Sequence, residues 1–439
     1  MKRTYIFIIL LLVGLFSGCS KLPKENNKLY RQEVREDLRE VFLMELEAGC
    51  SFFWDLANND LSSPGYGLIP DRYNTFTKKA GLVASIASVG FGLSTIPISI
   101  ELNKISRSDG EERAYYTLLT LKKLQRVNGF WHHFIDMKTG QRAYNSEISI
   151  IDSAILINGA IIVGEYFGGR VKALADELYL GIQWDWFYNG NMNKFYMGYS
   201  PENGFEGYWS GYAEHLMMFV LGAGSPKYPV PAAAYTMMKL EGKLSSKTSV
   251  YEPFYLTYTG SLFTYQFSHA WIDFSKYKDQ DGYDWYLNSV NAVKAAIDYA
   301  SNNNEYITLN ENSWGLSACD GPSGYVGPYG SPPSAGGAHV VDGTIPAYGA
   351  LGSIVFLPRQ AIKAVEHYYT YERFWSEYGF KDAYNLDNNG QWFARDIIGI
   401  DKGISVLMIE NYLSGMIWEI YHENKYVEAG LKKLGFYKE

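Results

Sequence analysis

Residues 148–167 read ISIIDSAILINGAIIVGEYF, a run that is apolar on nearly every side when wound as a helix. A helix with no polar face is buried by its neighbours, so this one predicts an interior element surrounded by others. Working outward, apolar residues recur at spacings of three and four over 31–58, 80–103, 108–126, 170–183, 209–221, 232–240, 285–302, 358–371 and 403–418. Val163, Tyr166 and Phe167 show the spacing within the central run. Pro358 stands where a first helical turn accepts it, and Ser108 with Asp109 reads as a helix start. Strand-like alternation is scarce and short. About a dozen helices joined by short connections predict helix hairpins packed side by side. With 150–167 and 216–221 inside, the expected fold is all-α: an (α/α)6 toroid, a double ring of hairpins whose inner helix ends form a central cavity. A tetratricopeptide superhelix would carry a roughly 34-residue repeat. None is visible here.

The chain has 439 residues, 47% hydrophobic, with 39 bases against 47 acids and a net charge of −8. That composition excludes a disordered, collagen-like or coiled-coil protein. Acidity without a basic run after the N-terminus argues against nucleic acid or polyanionic sugars as partners. The 37 Tyr, 11 Trp and 23 Phe supply flat amphipathic rings suited to carbohydrate, or else a large aromatic core. The N-terminus, MKRTYIFIILLLVGLFSGCS, pairs a basic start with an apolar run too short to span a bilayer. Its end resembles a lipobox, so residues 1–18 are expected to be a lipoprotein signal peptide and Cys19 the lipidated residue. Residues 19–30 are expected to be a tether and 31–439 a single (α/α)6 domain. Ser20 after the cysteine favours the outer membrane of a Gram-negative cell, facing the periplasm or the surface. No later apolar run is read as a membrane span, so the membrane is reached only through the lipid. Cys50 and Cys319 lack metal-type spacing and read as core thiols or a disulfide pair.

Four acids sit within apolar helical runs: Asp152, Glu214, Asp401 and Glu410. Burying an unpartnered carboxylate costs several kcal/mol, so each needs donors or a wet cavity. Helix capping explains Asp152 and Asp401 singly. Four acids beside Gly, Trp or Tyr fit glycosidic hydrolysis better, where one carboxylic acid protonates the leaving oxygen and a second carboxylate activates water. Glu214, with Trp209 and Tyr212 three apart, would place an acid and a sugar platform on one wall. The seven His form no H-E-x-x-H cluster, and Gly90 and Gly92 follow no strand, so neither a metal nor a nucleotide cofactor is called for.

Several motifs together resemble one family. They are LIPDR (68–72), ASIASVGFGL (84–93), HHFIDMKTGQRAYNSEISIIDSAIL (132–156), GYWSGYAEHLM (207–217) and GSPKYPVP (224–231). The series continues with YQFSHAWIDF (265–274), NSWGLSACDGPSGY (312–325), EYGFKDAYNLD (377–387) and IIGIDKGISVLMIENYLSG (397–415). The chain is similar to the glucoamylase-like lipoproteins and to glycoside hydrolase family 144, whose characterised activity is endo-β-1,2-glucanase. The resemblance implies an acidic cavity in a toroid that cleaves β-1,2-glucan with inversion. By motif position it implies Glu214 as the acid and Asp401 as the water-activating carboxylate or its close partner. Glu147 and Asp152 would support the sugar or share the acid–base work. Trp209, Tyr212, Trp271 and Trp314 would be ring platforms, and Asp71, Arg72, Gln266, His269, Asp320 and Glu410 would bind hydroxyls. Ala213 and Lys402 depart from the Asn and Gln of many relatives. A lysine beside Asp401 would lower its pKa or change the sugar accepted. The expectation is a monomeric glucanase without cofactor. Its rivals are an exo-acting glucoamylase-type α-glucosidase and a non-catalytic glycan-binding lipoprotein.

Overall fold

A computed structural model describes residues 40–388 and 390–438. The signal peptide, Cys19 and the tether lie outside the described residues. The helices are α1 (Glu40–Asp55), α2 (Ile86–Glu101), α3 (Arg107–Lys123), α4 (Ile150–Phe167), α5 (Gly169–Leu180), α6 (Leu216–Gly224) and α7 (Ala233–Glu241). They continue as α8 (Phe263–Gln266), α9 (Trp285–Ser301), α10 (Ala347–Leu351), α11 (Pro358–Tyr369), α12 (Gly399–Leu413), α13 (Met416–His422) and α14 (Lys425–Lys433). The protein is mostly helical, but the all-α expectation is corrected by many short antiparallel strands.

Several of those strands lead directly into helices. Val83–Ser85 leads into α2, Ile148–Ser149 into α4, Ile345–Pro346 into α10 and Asp396–Ile398 into α12. They are linked in series. Pro70 bridges Ala84, Arg72 pairs with Ile398, and His132 bridges Ile148. Ile148 pairs with Tyr199 of the hairpin that runs on towards α6. Asp382 closes the series, giving its N–H to Asp396 O at 3.0 Å and accepting the Ala347 N–H at 3.2 Å. The starts of α2, α4, α6, α10 and α12 are therefore knitted together. Short sequence runs cannot announce such pairings, because most of these strands have only two or three residues and distant partners.

The central run forms a helix over the predicted residues, 150–167, and it packs closely on α2. A Cβ on Gly159 would lie 2.0 Å from Gly90 O, so two glycines let these backbones cross. By length and composition α4 could cross a membrane, but it is largely enclosed by protein. Several helix boundaries differ from expectation: the 80–103 segment is helical only from Ile86, because residues 83–85 form a strand. The 209–221 segment turns helical only at Leu216, because Gly207 and Gly211 take positive φ (55° and 68°) and residues 204–208 form a strand. The 403–418 segment starts earlier, at Gly399, and breaks at Gly415 (φ 69°). The α3 start is capped by Ser106, whose Oγ accepts the Asp109 N–H at 3.1 Å. Cys50 and Cys319 are buried thiols and do not form the disulfide pair.

Candidate active site

Carboxyl groups collect where the helix starts meet. Asp152 lies in the first turn of α4, where Ser149 Oγ accepts its N–H at 3.2 Å and donates to its Oδ2 at 2.5 Å. The capping expectation for Asp152 therefore holds in part. Asp401 lies in the first turn of α12. Glu214 precedes α6 by two residues in a turn, so it does not share a helical face with Trp209 and Tyr212. Its carbonyl is held by the Ser268 hydroxyl. Asp71 joins the elements: its N–H donates to Val83 O (2.9 Å), before α2, and its carbonyl accepts Gly399 N–H (2.7 Å), the first residue of α12.

These acids feel one another. Burial pushes Glu214 up to about 7, and the charge of Asp152 adds to the rise. Burial also raises Asp71, which senses Asp152 and His133. Asp401 is raised well above the usual carboxylate range by burial, then by Asp382, Asp320 and Asp71. Glu214, Asp71 and Asp401 thus belong to one electrostatic neighbourhood with Asp152, and poor solvation favours the neutral forms of Glu214, Asp71 and Asp401.

Arg72 is the counterweight. Its guanidinium donates to Asp71 at 3.3 Å, to Asp320 at 3.2 and 3.3 Å, and to Asp396 at 3.1 Å. It lines a cleft of about 790 Å³ with Asp320, Tyr325, Gln391, Trp392 and Asp396. Asp382, not singled out from the sequence, sits behind Asp320. Its Oδ2 accepts the Asp320 N–H at 2.6 Å, and it is only 4% exposed. Its place in EYGFKDAYNLD was visible, but short-range pattern gave no sign that its carboxyl meets Asp401.

Glu147 and Asp152 flank His133, at 2.9 Å from Nδ1 and 3.7 Å from Nε2. Burial works against charge on this ring, yet Asp152, Glu147 and Asp71 outweigh it and bring His133 to about 9. Its hydrogen bond holds Glu147 below the usual range. Among the described residues these three are a group with metal-ligand atoms within 4.8 Å of one another. With both ring nitrogens protonated, His133 donates to Glu147, pairs by charge with Asp152 and has no lone pair for a cation.

The structure corrects several substrate-binding expectations. Gln266, His269, Trp271, Trp314 and Glu410 are 0–2% exposed and present no surface to a sugar. Gln266 Nε2 donates to Gly349 O and Ser353 Oγ, and the Trp271 indole donates to Ser94 Oγ at 3.0 Å. His269 Nε2 meets Ser289 Oγ at 2.9 Å, and burial lowers its pKa to about 3. Trp314 and Glu410 are fully buried core groups, and Ser414 Oγ donates to Glu410 Oε1. Tyr212 is 3% exposed and stacks on Trp285 at 4.9 Å. Trp209 is half-buried, its ring stacked on His215. Lys402 turns away from Asp401 to Glu45.

Residues 206–425 match the family model described as "Putative glucoamylase", and the chain belongs to that family. A curated exo β-1,2-glucooligosaccharide sophorohydrolase (non-reducing end) of Parabacteroides distasonis is 25% identical over 437 residues. The match takes in 89% of this chain and 57% of the relative, so the chain spans little more than half of that protein. The structure of an endo-β-1,2-glucanase from Chitinophaga pinensis, in complex with sophorotriose and glucose, is 28% identical with a TM-score of 0.80. That likeness covers 91% of this chain and 98% of the other. A "putative glucoamylase" structure from Bacteroides fragilis is 27% identical (TM-score 0.79), covering 97% of this chain and 100% of that one.

Proposed function

We propose that the chain is a glycoside hydrolase of β-1,2-linked glucan, endo-acting and inverting, built as an (α/α)6 double ring around the linked helix starts. The observation that carries this is that two acids raised by burial, Glu214 and Asp401, are joined to one acidic neighbourhood through Asp152 and Asp71. At about 7, Glu214 keeps its proton near neutrality and can deliver it to the leaving glycosidic oxygen. Asp401 receives the proton of the attacking water, while Arg72, Asp71 and Asp320 meet hydroxyls along the cleft. The sequence likeness to the Chitinophaga pinensis endo-glucanase over nearly its whole length supports this substrate. The Parabacteroides distasonis relative supports a second reading, exo release of sophorose units.

Purified protein incubated with β-1,2-glucan, with starch as control, tests both. Mixed short oligomers appearing first indicate endo cleavage, sophorose alone indicates exo cleavage, and glucose from starch indicates the α-glucosidase. Binding of β-glucan with no new reducing ends would make the protein a glycan-binding module. Proton NMR of the first-released anomer tests inversion. The lipobox reading places the enzyme on the outer membrane, and a Cys19→Ala chain that stays membrane-associated would overturn it.

A further inference from the structure

Asp382 and Asp401 line one small enclosed space, where each carboxyl lies within the electrostatic reach of the other. Asp382 Oδ2 is taken by the Asp320 N–H. Its Oδ1 and the Oδ2 of Asp401 are both enclosed, and neither has an N–H or O–H partner when both groups are ionised. One proton between these two oxygens satisfies both. Two bare carboxylates would leave two buried, repelling acceptors. Asp382 is pinned for this by its backbone bonds to Asp396 and Ala347, one on the strand entering α12 and one at the start of α10. Around the pair stand Asp320, Asp71, Arg72, Cys319, Tyr325 and Tyr348; Lys402, next in the chain, faces Glu45.

We propose that Asp382 is the final proton acceptor of the hydrolytic step, reached through Asp401. This deepens the proposed glucanase reaction and rests on it. As water attacks the anomeric carbon, its O–H bond breaks and a proton passes to the free oxygen of Asp401. The proton already on Asp401 Oδ2 moves to Asp382 Oδ1. Glu214 gives its own proton to the leaving oxygen as the glycosidic bond breaks. The pair gains one proton and Glu214 loses one, so exchange with solvent resets both. Asp382 touches no sugar and is a positioning residue that sets the basicity of Asp401.

The test is Asp382→Asn, which keeps the shape and a hydrogen bond to Asp401 but cannot take up the proton. On β-1,2-glucan, kcat is expected to fall about a hundredfold, the lower end of what a general base contributes, with KM unchanged. The solvent deuterium proton inventory, bowed in the wild type by coupled transfers, should straighten. A second readout needs no turnover and no foldable variant: with ¹³C-labelled aspartate, the wild type should show a protonated carboxyl infrared band at neutral pH. Wild-type kcat in the variant, an unchanged inventory, or a missing band each overturns the relay. A wild type with the band but no hydrolysis overturns the glucanase reading alone, leaving the shared proton in place.

Discussion

Lys402 and Glu45 form an ion pair inside the protein, their side chains 3% and 0% exposed. The lysine also donates to Phe380 O at 3.0 Å, and Glu45 Oε2 accepts the Phe380 N–H at 2.8 Å. The pair therefore clamps α1 and α12 to the segment that leads into Asp382. Lys402 is next in sequence to Asp401, yet its charge goes to Glu45, so its departure from the relatives' Gln bears on the fold and not on the pKa of Asp401. Lys402→Met should cost about 3–5 kcal/mol, because Glu45 is left buried and uncompensated. Adding Glu45→Gln to that variant should recover most of the loss. Urea unfolding of the two single variants and the double variant checks this, and equal costs for all three would contradict it.

Glu214 gives a prediction in which activity and stability move in opposite directions. Its folded pKa of about 7 lies above the 4.5 of a free glutamate. Its contribution to stability is therefore fully present below about pH 4.5 and is lost as pH rises through 7. Glu214→Gln is neutral at every pH and escapes that loss. The variant should be hydrolytically dead, yet at pH 8 more stable than the wild type by about 1–3 kcal/mol, with little difference at pH 5. Denaturation at both pH values reads the sign directly, and a wild type more stable at pH 8 would remove the desolvated acid.

His133 titrates in the same direction for a different reason. Its folded value, about 9, exceeds the 6.5 of a free histidine because two carboxylates flank it. The stability it supplies is complete below about pH 6.5 and disappears as pH rises through 9. His133→Gln keeps a donor towards Glu147 but has no charge. The wild type should exceed this variant by about 2 kcal/mol more at pH 6 than at pH 10. A pH-independent difference would mean that the ring packs on Phe134 without pairing to either carboxylate.

The sequence was legible where a signal repeats over many residues. The run 150–167 and the segments around α5, α7, α9 and α11 have enough turns for their periodicity to mark them within a few residues. Legibility ended where a residue's environment is built from distant chain. Glu214 and Asp401 stood out as acids among apolar neighbours, and burial does raise both. Asp382 lies in a short segment with no helical periodicity to mark it, and only the fold carries Asp320 and Asp401 to it. The helix α10, five residues long and entered from a two-residue strand, is too short to leave a periodic trace. Aromatic residues misled in the other direction: a tryptophan beside polar residues reads as a sugar platform whether its ring ends in a cleft or in the core.

That ambiguity yields the last prediction. Trp271 is wholly enclosed, tilted against Phe91 at 5.0 Å with its indole N–H on Ser94, and Trp314 is equally buried. Replacing either by Ala empties a large space that neighbouring helices cannot close, at about 3–5 kcal/mol. Those variants should lose stability while any folded fraction keeps the wild-type KM. Trp209 differs: one face rests on His215 and its ring is only half-buried, five residues before Glu214. Trp209→Ala should cost less stability and raise KM instead, because it removes a flat apolar surface a sugar ring can stack on. Melting curves and KM measured on the same three variants separate the classes. A Trp271 variant that stays folded and raises KM would return that residue to the substrate, and with it a route from the cleft into what is described here as core.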